Sequence, residues 1–314
     1  MQTTLLDRLC FLGLALAALA PAAARADDGH DAMVSIQGIN IGGDYPHAMV
    51  SPWYTGSSGD TGTSQFQVTG PWAVQGVGAG VYRDGAWSSS QSADLDSGVM
   101  RSSMYYGSAD ADGRYSQLGT YLDMLDYLTF QGSGSATFVM HLTGKFTGEA
   151  HEEWGNSMDT ALDFTSLTRA GRYQDVLGRI HLNHAEEGSA VFAPGNNCSE
   201  FGSSHYELGT VSCTIRSMAA DDIDIDLIVQ VNGITDGEVL MFRSTLNVQA
   251  YGWGMGGADF GNTARLGVVL SDGLQYTSSS GVFLASATPV PEPGTGALML
   301  GGLALAGWAV RRRG

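Results

Sequence analysis

Lysine is almost absent: Lys145 is the single one among 314 residues. Basic residues number 15 against 32 acidic ones, a formal net charge of −17. A surface of that sign repels phosphate backbones and anionic lipid, so nucleic acid is excluded as an expected partner. The charge suits solubility, divalent cations or a basic partner. Cysteine is scarce, at three, and no stretch gathers ligands at zinc-like spacing. Also missing are a Gly-x-Ser-x-Gly elbow, a phosphate-binding loop and a dinucleotide fingerprint. Carboxylate pairs recur throughout so acidic a chain, and spacing alone selects no general acid and base among them. No sustained helical period runs through the middle of the chain, and long apolar runs are confined to its two ends.

At the first end, Arg8 precedes an apolar stretch over residues 9–19, followed by Pro21, Ala22, Ala23 and Ala24-Arg25-Ala26. A charged start, a short apolar core and a small-x-small site predict a secretory signal peptide over residues 1–26, with Asp27 as the mature N-terminus. Asp7 slightly weakens the positive start. The run is short for a membrane span. Sec export is the implied route.

At the other end, Pro289-Val290-Pro291-Glu292-Pro293 precedes an uncharged apolar run over residues 294–310, closed by Arg311, Arg312 and Arg313. As a helix the run would reach roughly 25 Å, the low end for crossing a bilayer core. Trp308 stands near its end, where an aromatic ring favours the headgroup zone, and the arginines hold that end in the cytoplasm. Upstream, three prolines in five residues fix φ and remove backbone donors, which predicts an extended, accessible segment.

The order of Val290-Pro291-Glu292-Pro293, apolar helix and Arg311-Arg312-Arg313 resembles the PEP-CTERM sorting signal of Gram-negative bacteria. The resemblance implies recognition and cleavage by an exosortase in the inner membrane. Export would then end at the cell surface or outside the cell. It also implies an association with exopolysaccharide and biofilm. An uncleaved anchor would share the helix and the arginines but has no need of Pro-Glu-Pro before them.

Between the signals, residues 27–288 are enough for one domain with a sizeable core. Trimmed of both signals, the chain keeps 30 acidic residues against ten basic ones. Cys10 leaves with the signal peptide. Cys198 and Cys213, 15 positions apart, are expected to form a disulfide in an oxidising compartment. Closing such a loop contributes about 3 kcal/mol in the chain-entropy model.

Apolar residues alternate with polar ones in short runs: Phe66 and Val68; Ala136, Phe138, Met140 and Leu142; Val211, Cys213 and Ile215; Ile223, Ile225 and Leu227; Leu246, Val248 and Ala250; Leu266, Val268 and Leu270. Period two in runs of this length predicts half-buried strands. Gly132-Ser133-Gly134 and Ser271-Asp272-Gly273 read as turns. The expected fold is all-β: a single antiparallel β-sandwich, jelly-roll-like. Residues 159–180 fit neither period, and a short helix is expected there. Residues 56–62, polar and Gly-rich, read as a loop. The strand–turn–strand stretch over residues 130–138 and residues 276–284, just before the tail, are also similar to β domains that carry this kind of tail.

Candidate chemistry is thin. Ser108-Ala109-Asp110-Ala111-Asp112-Gly113 resembles half of an EF-hand loop, but Gly119 stands where the bidentate Glu belongs, so a surface turn is the better reading. Asp222, Asp224 and Asp226 share one strand face and read as a solvent face, since next-but-one carboxylates lie about 7 Å apart and need ligands from elsewhere. His181 and His184 would point to opposite faces of a strand, and His151-Glu152-Glu153 is no better. Trp53, Tyr54, Trp72, Trp87, Tyr105, Tyr106, Tyr251 and Trp253 could stack on sugars if exposed, but core or cross-strand packing is the expected use. No catalytic residue, cofactor or metal is expected, with calcium a weak option. The expected function is a noncatalytic surface or matrix protein, structural or adhesive. A calcium-assisted carbohydrate-binding module is the alternative, and a secreted hydrolase a third.

Overall fold

The computed structural model describes residues 22–25, 32–35, 39–41, 46–56, 61–70, 72–82, 85–107, 116–148, 156–169, 175–184, 190–192, 208–252 and 255–285. Among them there is no helix. The strands are β1 Ala22–Arg25, β2 Ala32–Ser35, β3 Ile39–Ile41, β4 His47–Gly56, β5 Thr61–Gly70, β6 Ala73–Tyr82, β7 Gly85–Asp94, β8 Val99–Gly107, β9 Ser116–Gln131, β10 Gly134–Thr147, β11 Ser157–Ser166, β12 Asp175–His184, β13 Ala190–Phe192, β14 Gly209–Ala219, β15 Asp222–Ile234, β16 Val239–Gly252, β17 Met255–Leu270 and β18 Gln275–Ser278.

All pairings are antiparallel and form two sheets. The first runs β1-β5-β6-β7-β8-β17-β10-β15-β14; the second runs β13-β12-β11-β16-β9-β4-β2, with β18 on β9 and β3 on β4. In the centre, β8 pairs with β17, β9 with β16 and β10 with β15. That nesting puts β8-β17-β10-β15 in one layer and β9-β16-β11-β12 in the other, the strand order of a jelly roll.

Alternation fills the space between the layers. Ala136, Phe138, Met140 and Leu142 of β10 are buried, as are Ile223, Ile225 and Leu227 of β15 and Leu246, Val248 and Ala250 of β16. The layers touch directly: Phe138 meets Phe164 with ring centroids 4.2 Å apart, Thr160 Oγ1 lies 3.1 Å from Met140 Sδ, and Ser102 and Thr120 share a buried 2.5 Å hydrogen bond. Offset aromatic contacts of this kind add to the hydrophobic gain of burial.

Where a short helix was expected, residues 159–180 form most of β11 and β12. Met158, Leu162 and Phe164 face inward on one strand and Val176, Ile180 and Leu182 on the next. Period two holds on both strands, but Thr160 and Gly178 occupy inward positions and Leu177 an outward one, which blurs the alternation, and Leu167, just past β11, stands exposed. Val68 also departs from expectation. It pairs with buried Val74 and shares its face, yet it is half exposed because β5 is an edge strand beyond the four residues that β1 covers. Ile215 likewise pairs with buried Ile225 but is exposed on the edge strand β14. Thr61 and Gly62 belong to β5 rather than to the loop predicted over 56–62. The turns at 132–134 and 271–273 are present, with Gly132 and Gly273 at positive φ.

The strand ends divide unequally. Tight turns join β7 to β8, β9 to β10, β15 to β16 and β17 to β18 at one end, here called the turn end. The opposite end holds the termini Gly107, Ser116, Thr147, Ser157, His184, Gly252 and Met255, together with the tight turn from β14 to β15 and the ends of β6 and β7 at Tyr82 and Gly85.

Candidate functional site

The chain leaves the sandwich at the turn end, and the exit is densely bonded. β18 adds to β9 beside Gln131 and Phe130. Beyond it, Ser279 N donates to Tyr127 O at 2.9 Å and Leu284 N donates to Leu95 O at 3.0 Å. Asp126, fully buried, accepts from Ser280 Oγ at 2.5 Å, from Ser280 N at 3.2 Å and from Tyr127 N at 2.7 Å. Trp72 Nε1 reaches across from the other sheet to Ser280 O, 3.1 Å away. Tyr276 lies against Phe130 and Phe283, and Phe283 packs on Phe242 at 4.6 Å.

The last buried side chain is Leu284. It holds φ at 53°, a region that a branched residue occupies only under constraint. Its side chain lies over Gly98, itself at φ 64°, where an added Cβ would run into the leucine Cδ2 methyl. Ala285 is the final described residue. Pro291, Glu292, Pro293, Arg311, Arg312 and Arg313 lie outside the described residues, as do most of the predicted signal peptide and the apolar tail. Within that leader, Ala22–Arg25 pairs with Thr61–Ser64 as β1.

The outer face of the second sheet carries two polar networks. Arg243 grips Asp123 through Nε and Nη2 and reaches Tyr121 Oη at 2.9 Å, while His47 Nε2 stands 3.5 Å from Asp123. Burial opposes ionisation of Asp123, but the hydrogen bonds of His47 and Arg243 hold its pKa below the usual range. Burial and the Asp123 charge push the Tyr121 phenol up to about 12. On neighbouring strands, Arg179 and His181 converge on Asp159, and their hydrogen bonds depress its pKa against a burial penalty of the same kind. Between these clusters, burial and then Asp175 raise the Asp163 carboxyl to about 6, against the opposing charge of Arg243.

The outer face of the first sheet brings together His141, Asp224 and Asp226, close enough to share a cation. A cation is already supplied by the protein. Arg216 on β14 bonds Asp224 at 2.8 Å and also clasps Asp226, while His141 Nδ1 lies 2.8 Å from Asp226. The aspartates thus face solvent as expected, with Ile223 and Ile225 buried behind them. No local pattern points to Arg216 or His141, because cross-strand register creates that contact.

His181 and His184 do point to opposite faces: His181 bonds Asp159, whereas His184 is buried and stacks on Phe146 at 5.7 Å. Trp87 and Tyr106 are core residues, Trp72 is half-buried, and Tyr105 stands exposed with its hydroxyl donating to Asp259 at 2.9 Å. Trp253, residues 108–113, residues 151–153 and Cys198 lie outside the described residues. So do the side chains of Trp53, Tyr54 and Tyr251. Cys213 is half-buried on β14.

Residues 289–313 match a family pattern described as the PEP-CTERM protein-sorting motif. The match covers the Pro-Glu-Pro segment, the apolar run and the arginines, and it marks an exported protein targeted to exosortase. No curated protein matches the chain.

Proposed function

We propose that the protein is exported, cut by an exosortase after its Pro-Glu-Pro segment, and deployed at the cell surface or in the extracellular matrix, where its acidic sandwich acts through structure or adhesion rather than catalysis. The observation that carries this reading is the sorting motif at 289–313, placed directly after a body that closes at Leu284. Support for a noncatalytic body comes from the carboxylates. Asp123, Asp159 and Asp226 are each tied to an arginine, which favours the ionised form and disfavours a role as proton donor. The signal peptide over residues 1–26, the Cys198–Cys213 disulfide and the biofilm association belong to the same proposal.

Replacing Pro291, Glu292 and Pro293 together with alanine is expected to leave full-length precursor in the inner membrane, read by pulse-chase and immunoblotting. Normal processing of that variant would remove the motif's role.

Polysaccharide binding is the second reading. It is favoured by the half-exposed row of Tyr121, Asn247, Asp159 and His181 across the second sheet, since such polar and aromatic groups suit sugar hydroxyls and rings. Glycan-array binding of the mature protein, with and without calcium, tests it: retention that calcium strengthens supports this reading, and no retention in either condition excludes it.

A further inference from the structure

The bonded exit at the turn end has a consequence for processing. Pro291 is six residues beyond Ala285, so it can stand at most about 20 Å from the folded body. The apolar run begins at Gly294, ten residues beyond Leu284, a reach of about 35 Å at full extension. By comparison, the 16 residues of β9 extend about 50 Å. The tether is therefore shorter than the sandwich is tall. With the apolar run in the bilayer, the body cannot stand inverted, with its opposite end against the membrane and the turn end farthest from it.

We infer that the latch formed by Asp126, Trp72, Ser280, Phe283 and Leu284 is a spacing device. It stops the body from yielding more chain, so that a membrane-embedded exosortase receives Pro-Glu-Pro at a fixed short distance from the turn end. The inference rests on the sorting reading above. The latch bonds are what give the segment a defined start. Without them β18 and the turn after it would add about ten residues of slack, or roughly 30 Å more reach. The acidic surface fits a stand-off rather than adhesion to the bilayer, because repulsion from anionic lipid fades beyond a Debye length of about 8 Å.

The test uses the full-length chain in its host. Deleting residues 286–288 removes about 10 Å of tether, and processing is expected to slow by roughly tenfold or more, since misplacing a reactive group by even small distances is costly. Replacing the same three residues with glycine should leave the rate at wild type, and a Gly-Ser spacer put back into the deletion should restore it. Wild-type processing of the deletion would overturn the spacing role. So would slow processing of the glycine version, because sequence rather than length would then be read. The triple alanine variant of Pro291, Glu292 and Pro293 serves as control: if it is processed normally, the sorting reading itself fails.

Discussion

At the residue scale, Asp163 is the described carboxylate whose environment most favours the neutral form, for reasons visible in its neighbours. It is partly buried, close to Asp175, and only partly relieved by Arg243. A carboxyl whose folded pKa is raised stabilises the protein in its protonated state. That contribution is complete below the unfolded value near 3.9 and is lost as pH rises through about 6. Asp163→Asn should therefore be more stable than wild type at pH 7, by about 1–3 kcal/mol, with the advantage gone near pH 4. Urea denaturation at both pH values checks this, and an equal offset at both would contradict it. Asp123, Asp159 and Asp226 have the opposite sign: their depressed pKa values give stability above the unfolded value that is lost as pH falls through the folded one. Of these partnerships only the outward placement of Asp226 was legible in the sequence. Arg243 lies 120 positions from Asp123, and no local pattern records a contact made by strand register.

At the element scale, the strands with uniform alternation were the ones that sequence placed well. β10, β15 and the buried half of β16 announce themselves because each has one dry and one wet face. β11 and β12 did not, because Thr160 and Gly178 fill inward positions and Leu177 an outward one. The turn beside them is held by a group that no periodicity suggests. Glu238, 1 % exposed, accepts from Arg169 Nε at 2.7 Å, from Ser166 Oγ at 3.0 Å and from Thr235 N at 3.0 Å, and Arg169 also bonds the carbonyls of Asn232 and Gly233. This pins the end of β11 to the β15–β16 turn. Arg169→Ala strands a buried carboxylate and should cost about 3–5 kcal/mol. Glu238→Gln with Arg169 retained should cost less, since the amide oxygen still accepts. Thermal unfolding of the two variants, with a loss for Arg169→Ala no larger than for Glu238→Gln, would contradict the assignment.

At the scale of the whole molecule, two nested sheets give the protein distinct ends. One closes in tight turns and releases the tail; the other bears the strand termini at Gly107, Ser116, Thr147 and Ser157. The all-β class and its antiparallel pairing followed from short alternating runs and Gly-bearing turns. The latch at Asp126 and Ser280 did not, because a buried carboxylate serving one serine 154 positions away looks like any other acidic residue in so acidic a chain. What the body binds is a separate matter from how it is addressed, and the tail governs only the address.

Intact-mass and terminal-peptide mass spectrometry of the protein recovered from its native envelope tests the address most directly. A mature chain that begins at Asp27, lacks the apolar run and the three arginines, and carries Cys198 joined to Cys213 is the predicted result. A chain that still ends at Gly314 and fractionates with the inner membrane would contradict it.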